Sequence, residues 1–140
     1  MLLQPKNTKY KKGHKQAKKT KGIKTNSNEL NYGSYGLKTI NGGNIHASHI
    51  EAVRRVIIRK IRKVGKIWIR LFPYKPITTK PTKTRMGKGK GSVQYWVCPV
   101  KRGQIMFEIN GNISKEDAKL ILYQASQKLP VSTKFVSYKI

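Results

Sequence analysis

The stretch that decides the fold is SHIEAVRRVIIRKIRKVGKIWIRLF, residues 48–72. Apolar residues recur through its first part at helical spacing. Ser48 followed by Glu51 matches a capping box, so we expect a helix from about His49 to Lys63 that stops before Gly65. The buried stripe of this helix is predicted to consist of Ile50, Val53, Ile57, Ile61 and Val64.

The end of the same stretch predicts a strand over residues 66–72, with Ile67, Ile69 and Leu71 on one face. Further strands are predicted on both sides of it, and Ser114 is predicted to cap a second helix that ends before Pro130. The predicted order is strand 32–40, helix, strand 66–72, long loop 77–92, strand 93–100, strand 104–109, helix and strand 131–138. This order predicts an α+β fold, a mixed sheet with two helices on one side.

The charge of the chain limits what it can do. Its 140 residues contain 31 Lys and Arg but only 5 Asp and Glu, a net charge of +26. Such an excess destabilises a compact state by self-repulsion, so a polyanionic partner is expected: nucleic acid, an anionic membrane or an acidic protein. Five carboxylates in no recognisable catalytic arrangement argue against an enzyme.

The residues that bind metals and cofactors are equally sparse. Cys98 is the only cysteine, so neither an intrachain disulfide nor a cysteine-cluster metal site is expected. His46 and His49 could share a metal, but no third ligand stands at a suitable spacing. We therefore predict no metal and no cofactor. No run approaches 18 apolar residues, so a membrane span is not expected.

The N-terminal region has few apolar residues and many lysines, so it cannot form a core and is expected to be disordered when free. It is either a solvated tail or an arm that orders on RNA. We assign residues 1–31 to this arm and residues 32–140 to a single domain that contains the loop 77–92.

Two basic segments of the domain favour contact with nucleic acid. Residues 84–92 read TRMGKGKGS, in which glycines allow close approach to an anion and lysines neutralise it; the spacing fits neither a P-loop nor a dinucleotide fingerprint. The first helix carries arginines with few acids to pair them, which favours phosphate contact over a membrane-surface helix. The aromatic residues Trp68, Tyr95 and Trp96 are predicted to pack in the core; stacking of RNA bases on a sheet face is the less favoured alternative.

Several blocks of the sequence together resemble the bacterial-type family of large-ribosomal-subunit protein sixteen. The resemblance runs in order from residue 2 to about residue 136. The blocks are LQPK (3–6), KYKK (9–12), YGSYGL (32–37), IEAVRR (50–55), GKIWIR (65–70), KPIT (75–78) and RMGKGKG (85–91).

The resemblance implies a hammerhead-type α+β domain in the large ribosomal subunit, bound near the aminoacyl-tRNA site and the peptidyl transferase region. The implied partners are large-subunit rRNA, aminoacyl-site tRNA and other large-subunit proteins, without a membrane or a homo-oligomer. Implied rRNA-binding residues are Lys6, Lys9, Lys11, Lys12, His14, Lys15, Arg54, Arg55, Arg59, Arg62, Lys63 and Lys66. Implied residues facing tRNA and the peptidyl transferase region are Lys80, Arg85, Met86, Gly87, Lys88, Gly89 and Lys90.

Two questions stay open at this point. A free-standing RNA-binding factor of translation or ribosome assembly is the main alternative, and a cationic membrane-active protein is a weaker one. The segment PVSTKFV (130–136) looks more like mitochondrion-encoded members of the family, and no transit peptide is recognisable at the start. We therefore expect a mitochondrial location ahead of a plastid or bacterial one.

Overall fold

The computed structural model describes residues 3–14 and 20–138. Within them the chain forms seven strands and two helices. In chain order these are β1 (Tyr35–Thr39), β2 (Gly43–His46), α1 (Ala47–Ile61), β3 (Gly65–Ile69), β4 (Lys75–Thr79), β5 (Ser92–Val100), β6 (Ile105–Gly111), α2 (Lys115–Ser126) and β7 (Thr133–Ser137).

The strands are divided between two antiparallel sheets, one ordered β3-β6-β1-β7 and the other β2-β5-β4. The prediction of an α+β fold with two helices is confirmed, but the second sheet depends on two strands that were not predicted. β2 has only four residues and runs directly into α1. β4 contains Pro76, which is tolerated because β4 is an edge strand.

The helix α1 begins earlier than predicted, and the proposed capping box of Ser48 and Glu51 is wrong. His46 is the N-cap: its Nδ1 accepts a hydrogen bond from the backbone N–H of Ser48 at 3.0 Å. His49 reaches back and accepts from the N–H of His46 at 3.4 Å. Val64 lies in the turn after the helix and is 48% exposed, so it does not extend the buried stripe.

The hydrophobic core lies between the helices and the inner faces of the sheets. The other four predicted stripe residues of α1 are fully or almost fully buried. In α2 the N–H of Asp117 donates to the Ser114 hydroxyl at 3.1 Å, which confirms the predicted cap. Core residues from the strands include Leu37, Ile45, Cys98, Val100, Phe107 and Ile109.

One carboxylate is buried on the outer side of the four-stranded sheet. Glu108 on β6 has no exposed surface. Its Oε2 accepts hydrogen bonds from the backbone N–H groups of Asn31 (3.2 Å), Tyr32 (2.7 Å) and Gly33 (2.9 Å). Its Oε1 pairs with the Arg70 guanidinium, which also donates to the carbonyl of Glu29 at 2.7 Å. Glu108 therefore fixes the point where the chain enters the domain.

The environment of Glu108 keeps it ionised. Burial alone would raise its pKa, but the hydrogen bonds from the Tyr32 N–H, the Arg70 guanidinium and the Gly33 N–H together hold the pKa below its usual value. The negative charge is thus part of the folded state at neutral pH.

We expect Glu108→Gln to lower the free energy of unfolding by about 3–5 kcal/mol, because it leaves the mostly buried Arg70 without a counter-charge. Denaturant unfolding at pH 7 measures this change. Glu29→Gln is the matched control, since the Glu29 side chain is exposed. Equal losses in the two variants would contradict a specific role for Glu108.

Candidate nucleic-acid interface

Two of the five carboxylates neutralise arginines within the domain. Glu108 pairs with Arg70, and Glu51 on α1 binds two arginines. Arg54 donates to both oxygens of Glu51, each at 2.7 Å, and Arg55 donates at 3.0 Å. The hydrogen bonds from Arg54, which have the largest effect, and from Arg55 lower the pKa of Glu51 to about 2. Arg54 and Arg55 are therefore partly compensated, unlike the cations further along α1.

The cations at the end of α1 point to solvent. The side chains of Arg59, Arg62, Lys63 and Lys66 are exposed, and in the described part of the chain none of them makes a side-chain hydrogen bond or ion pair. Arg59 lies in the last turn of α1, Arg62 and Lys63 lie in the turn that follows, and Lys66 lies on β3. The last three line one open pocket beside β3. Unpaired positive charge of this kind favours contact with the phosphates of nucleic acid.

The glycine-lysine loop connects two paired strands and is shorter than predicted. β4 and β5 pair as far as Thr79 opposite Ser92, so the loop comprises residues 80–91 rather than 77–92. The first residues of the predicted loop, 77–79, belong to β4. The loop is therefore the end of a long hairpin whose base is held by main-chain hydrogen bonds.

Glycine is required in this loop for two different reasons. Gly87 and Gly89 have φ of +99° and +79°, on either side of Lys88 with φ of +53°. A Cβ at Gly87 or Gly89 would meet nothing within 4 Å, so backbone conformation is the constraint there. A Cβ at Gly91 would lie 2.3 Å from the carbonyl oxygen of Thr79, so close packing is the constraint there.

Two loop lysines are used to hold the loop itself. The ammonium of Lys80 donates to the carbonyl of Gly87 at 2.6 Å. The ammonium of Lys90 donates to the carbonyl of Gly13, and the ammonium of Lys12 donates to the carbonyl of Lys90 at 2.8 Å. We call this reciprocal pair between residues 12–13 and residue 90 the arm–loop clasp.

The other loop cations face outward. Lys83, Arg85 and Lys88 are exposed and make no side-chain hydrogen bond or ion pair with any residue that the structure describes. Met86, between them, is 94% exposed. The residues predicted to face tRNA thus lie on one loop, but their side chains differ in what they contact. Lys80 and Lys90 bind backbone carbonyls, whereas Arg85 and Lys88 face solvent.

The predicted arm residues are placed less uniformly. Lys6, Lys9, Lys11 and His14 are exposed, whereas Lys12 belongs to the arm–loop clasp. Lys15 lies outside the described residues. Binding of rRNA by these side chains stays a prediction.

The aromatic residues correct one expectation. Trp68, Tyr95 and Trp96 are absent from the buried core cluster. Trp68 lies on the face of β3 opposite to Ile67 and Ile69, whereas Trp96 is partly buried on the face of β5 that carries Cys98 and Val100. The Trp68 ring stacks with Tyr32 at 14° with centroids 6.4 Å apart, and Tyr95 packs on His46 at 4.6 Å. Strict alternation along β3, with Ile67 and Ile69 inward, was the signal that could have placed Trp68 outward.

Other kinds of site find little support in the residues described. No three His, Cys, Asp or Glu side chains among them are arranged to hold a metal ion. His46 and His49, the pair considered for a metal, cap α1 instead. Neither helix in the described ranges has the length and apolar character needed to cross a bilayer.

Comparison with known proteins identifies similar chains. The family described as ribosomal protein L16p/L10e matches residues 5–136. The large ribosomal subunit protein uL16m of Prototheca wickerhamii is 51% identical over 98% of this chain and 99% of its own length. The uL16 proteins of Buchnera aphidicola subsp. Cinara cedri and Aeromonas hydrophila are 51% and 46% identical, covering 97% and 96% of both chains.

The arm–loop clasp predicts different behaviour for neighbouring lysines of the loop. In Lys90→Gln, backbone hydrogen exchange should increase both in residues 80–91 and around Gly13, because the two segments lose a shared contact. Lys88→Gln removes the same charge without a contact and should leave exchange unchanged. Equal exchange in the two variants, measured by mass spectrometry on the full chain, would show that the clasp does not order the loop.

Proposed function

The chain belongs to the ribosomal protein L16p/L10e family, and we propose that it is a structural constituent of the large ribosomal subunit that binds large-subunit rRNA near the aminoacyl-tRNA site and the peptidyl transferase region. The observation that carries the ribosomal assignment is the family match over residues 5–136, a range that includes most of the arm, α1 and the loop. The unpaired cations of α1 and the loop support the second part.

The proposed mechanism of rRNA binding is electrostatic. Arg59, Arg62, Lys63 and Lys66 have no partner in the described chain, so phosphates are their natural counter-charges. Each phosphate contact releases condensed counterions, which favours binding entropically. Contacts of this type position the protein and carry little sequence information. We propose no chemical step for the protein: it orders RNA.

The loop 80–91 is proposed to reach toward aminoacyl-site tRNA or the rRNA around it. Three features support this: its outward cations, its exposed Met86 and the bracing of its backbone by Lys80 and Lys90. A braced loop loses less conformational entropy on binding than a free one.

We further propose that the ribosome concerned is mitochondrial. The segment 130–136 resembles mitochondrion-encoded members of the family, and one relative is the uL16m of Prototheca wickerhamii. Bacterial relatives show the same level of identity, so only residence in a large ribosomal subunit is common to both.

Gradient sedimentation of a native lysate, followed by a high-salt wash, tests the proposed function. An arm making about 6–10 isolated phosphate contacts would lose roughly three to five decades of affinity between 50 and 200 mM salt. We expect the chain to stay with the large subunit through the wash, because the folded domain binds the subunit in addition to the arm. Release, or absence from the subunit, would favour a transient RNA-binding factor; retention on anionic vesicles in excess RNA would favour a membrane-active protein.

The role of the loop has a separate test. Subunits carrying Lys88→Gln with Lys90→Gln should bind aminoacyl-site tRNA more weakly than subunits carrying Lys18→Gln with Lys21→Gln. Both double variants remove two positive charges, but only the first changes the loop. Equal tRNA binding and equal translation rates in the two would contradict a tRNA-facing loop while leaving the ribosomal assignment intact.

A further inference from the structure

We propose that Trp68 forms a binding site for one unpaired nucleotide of RNA, with the base stacked against the indole and the adjoining phosphates held by Arg62, Lys63 and Lys66. The inference rests on the proposed binding to RNA and assigns a particular chemical role to the outer face of β3. We call this surface the Trp68 site; it is lined by these four residues and Asn110.

The strand β3 places the components of the Trp68 site together. Ile67 and Ile69 pack against the core, so Lys66 and Trp68 project from the opposite face of the sheet. Lys66 lies opposite Asn110 on β6, which brings an amide next to the indole. The surface is continuous with the exposed cations at the end of α1.

An open pocket lies at this position. It has a volume of about 410 Å³ and no carboxylate in its lining, which consists of Arg62, Lys63, Val64, Gly65, Lys66, Trp68, Asn110 and Gly111. Its size lies within the range of about 300–1,000 Å³ that is typical of sites for small organic groups. An aromatic wall combined with unpaired cations selects a planar group that is attached to an anion.

The aromatic wall is ordered before any ligand arrives. Tyr32 stacks on Trp68 at an interplanar angle of 14°, and the guanidinium of Arg70 lies 5.9 Å from the centre of the Tyr32 ring. The backbone N–H of Tyr32 is bound by the buried Glu108. Glu108 therefore positions both Tyr32 and Arg70, which reduces the entropy that stacking would cost.

The polar groups of the Trp68 site are suited to a nucleotide. Asn110 Oδ1 accepts a hydrogen bond from the Ser34 hydroxyl at 3.1 Å, so its amide N–H₂ remains to donate to the edge of a base. Duplex RNA keeps its base faces stacked internally, whereas unpaired bases stack on aromatic side chains next to cations. These features point to a base from a loop, bulge or single strand.

Intrinsic fluorescence can test the Trp68 site directly, because the chain has only two tryptophans. Trp96→Phe leaves Trp68 as the single indole reporter in the full chain. The probes are an adenine RNA hexamer and a hexamer of the same charge with abasic riboses, both at 150 mM salt. We expect saturation with the adenine hexamer to quench Trp68, and saturation with the abasic hexamer to leave its emission unchanged.

Affinity gives a second readout. In the Trp96→Phe background, Trp68→Leu should bind the adenine hexamer about 5- to 150-fold more weakly, from the usual energy of one stacked base, and bind the abasic hexamer with unchanged affinity. Trp68→Phe, which keeps an aromatic face, should lose much less. Arg62→Gln with Lys63→Gln should weaken the binding of both hexamers. The plot of log affinity against log salt concentration should become less steep by the amount expected for the loss of about two phosphate contacts.

The outcomes separate this inference from the proposed function. Equal binding of both hexamers with unchanged or equally quenched Trp68 emission would refute the stacking site and leave rRNA binding intact. Failure to bind either hexamer, together with absence from the large subunit, would overturn the proposed function as well. Circular dichroism of both Trp68→Leu and Trp68→Phe checks that the sheet is preserved, so that a folding defect in Trp68→Leu is not mistaken for lost stacking.

Discussion

The buried carboxylate of Glu108 joins three parts of the chain that are distant in sequence. It accepts from three consecutive backbone N–H groups at residues 31–33 and from Arg70, at the end of β3, while it sits in the middle of β6. Four donors compensate one charge that has no access to water, which is the condition under which a buried ion is stable. The exit of the arm and the stacking of Tyr32 on Trp68 both depend on this contact.

The same scarcity of acids links stability to binding. Of five carboxylates, Glu108 pairs with Arg70, and Glu51 is shared by Arg54 and Arg55, which it compensates in part. Glu116 and Asp117 lie in the first turn of α2, where their charges interact favourably with the helix dipole. The cations at the end of α1 and the outward-facing cations of the loop therefore have no acidic partner among the described residues. A polyanion that binds them relieves repulsion as well as adding contacts.

Much of the local structure followed from the sequence. Apolar spacing predicted the buried face of α1, and Ser114 predicted the start of α2. Each of these signals is local, because it depends only on residues within the helix or at its end. The features that were not predicted join distant residues. Glu108 binds Tyr32 across 76 positions, and β4 contains a proline that only its edge position makes acceptable. Local patterns carry no record of such partners, and the partly buried Trp68 looks like a core residue until its strand neighbours are known.

The loop shows why residue type alone could not define the candidate site. Lys88 and Lys90 occupy equivalent places in a Gly-Lys repeat, yet one points to solvent and the other binds the carbonyl of Gly13. The difference arises because the arm passes the base of the loop, where Lys12 returns the contact to Lys90. The Lys90 ammonium is thus held in place by a carbonyl, whereas the Lys88 ammonium has no partner among the described residues. The arm and the loop are therefore joined at this point: displacing residues 12–13 would remove a contact of the loop, and ordering the arm would hold Lys90 in place.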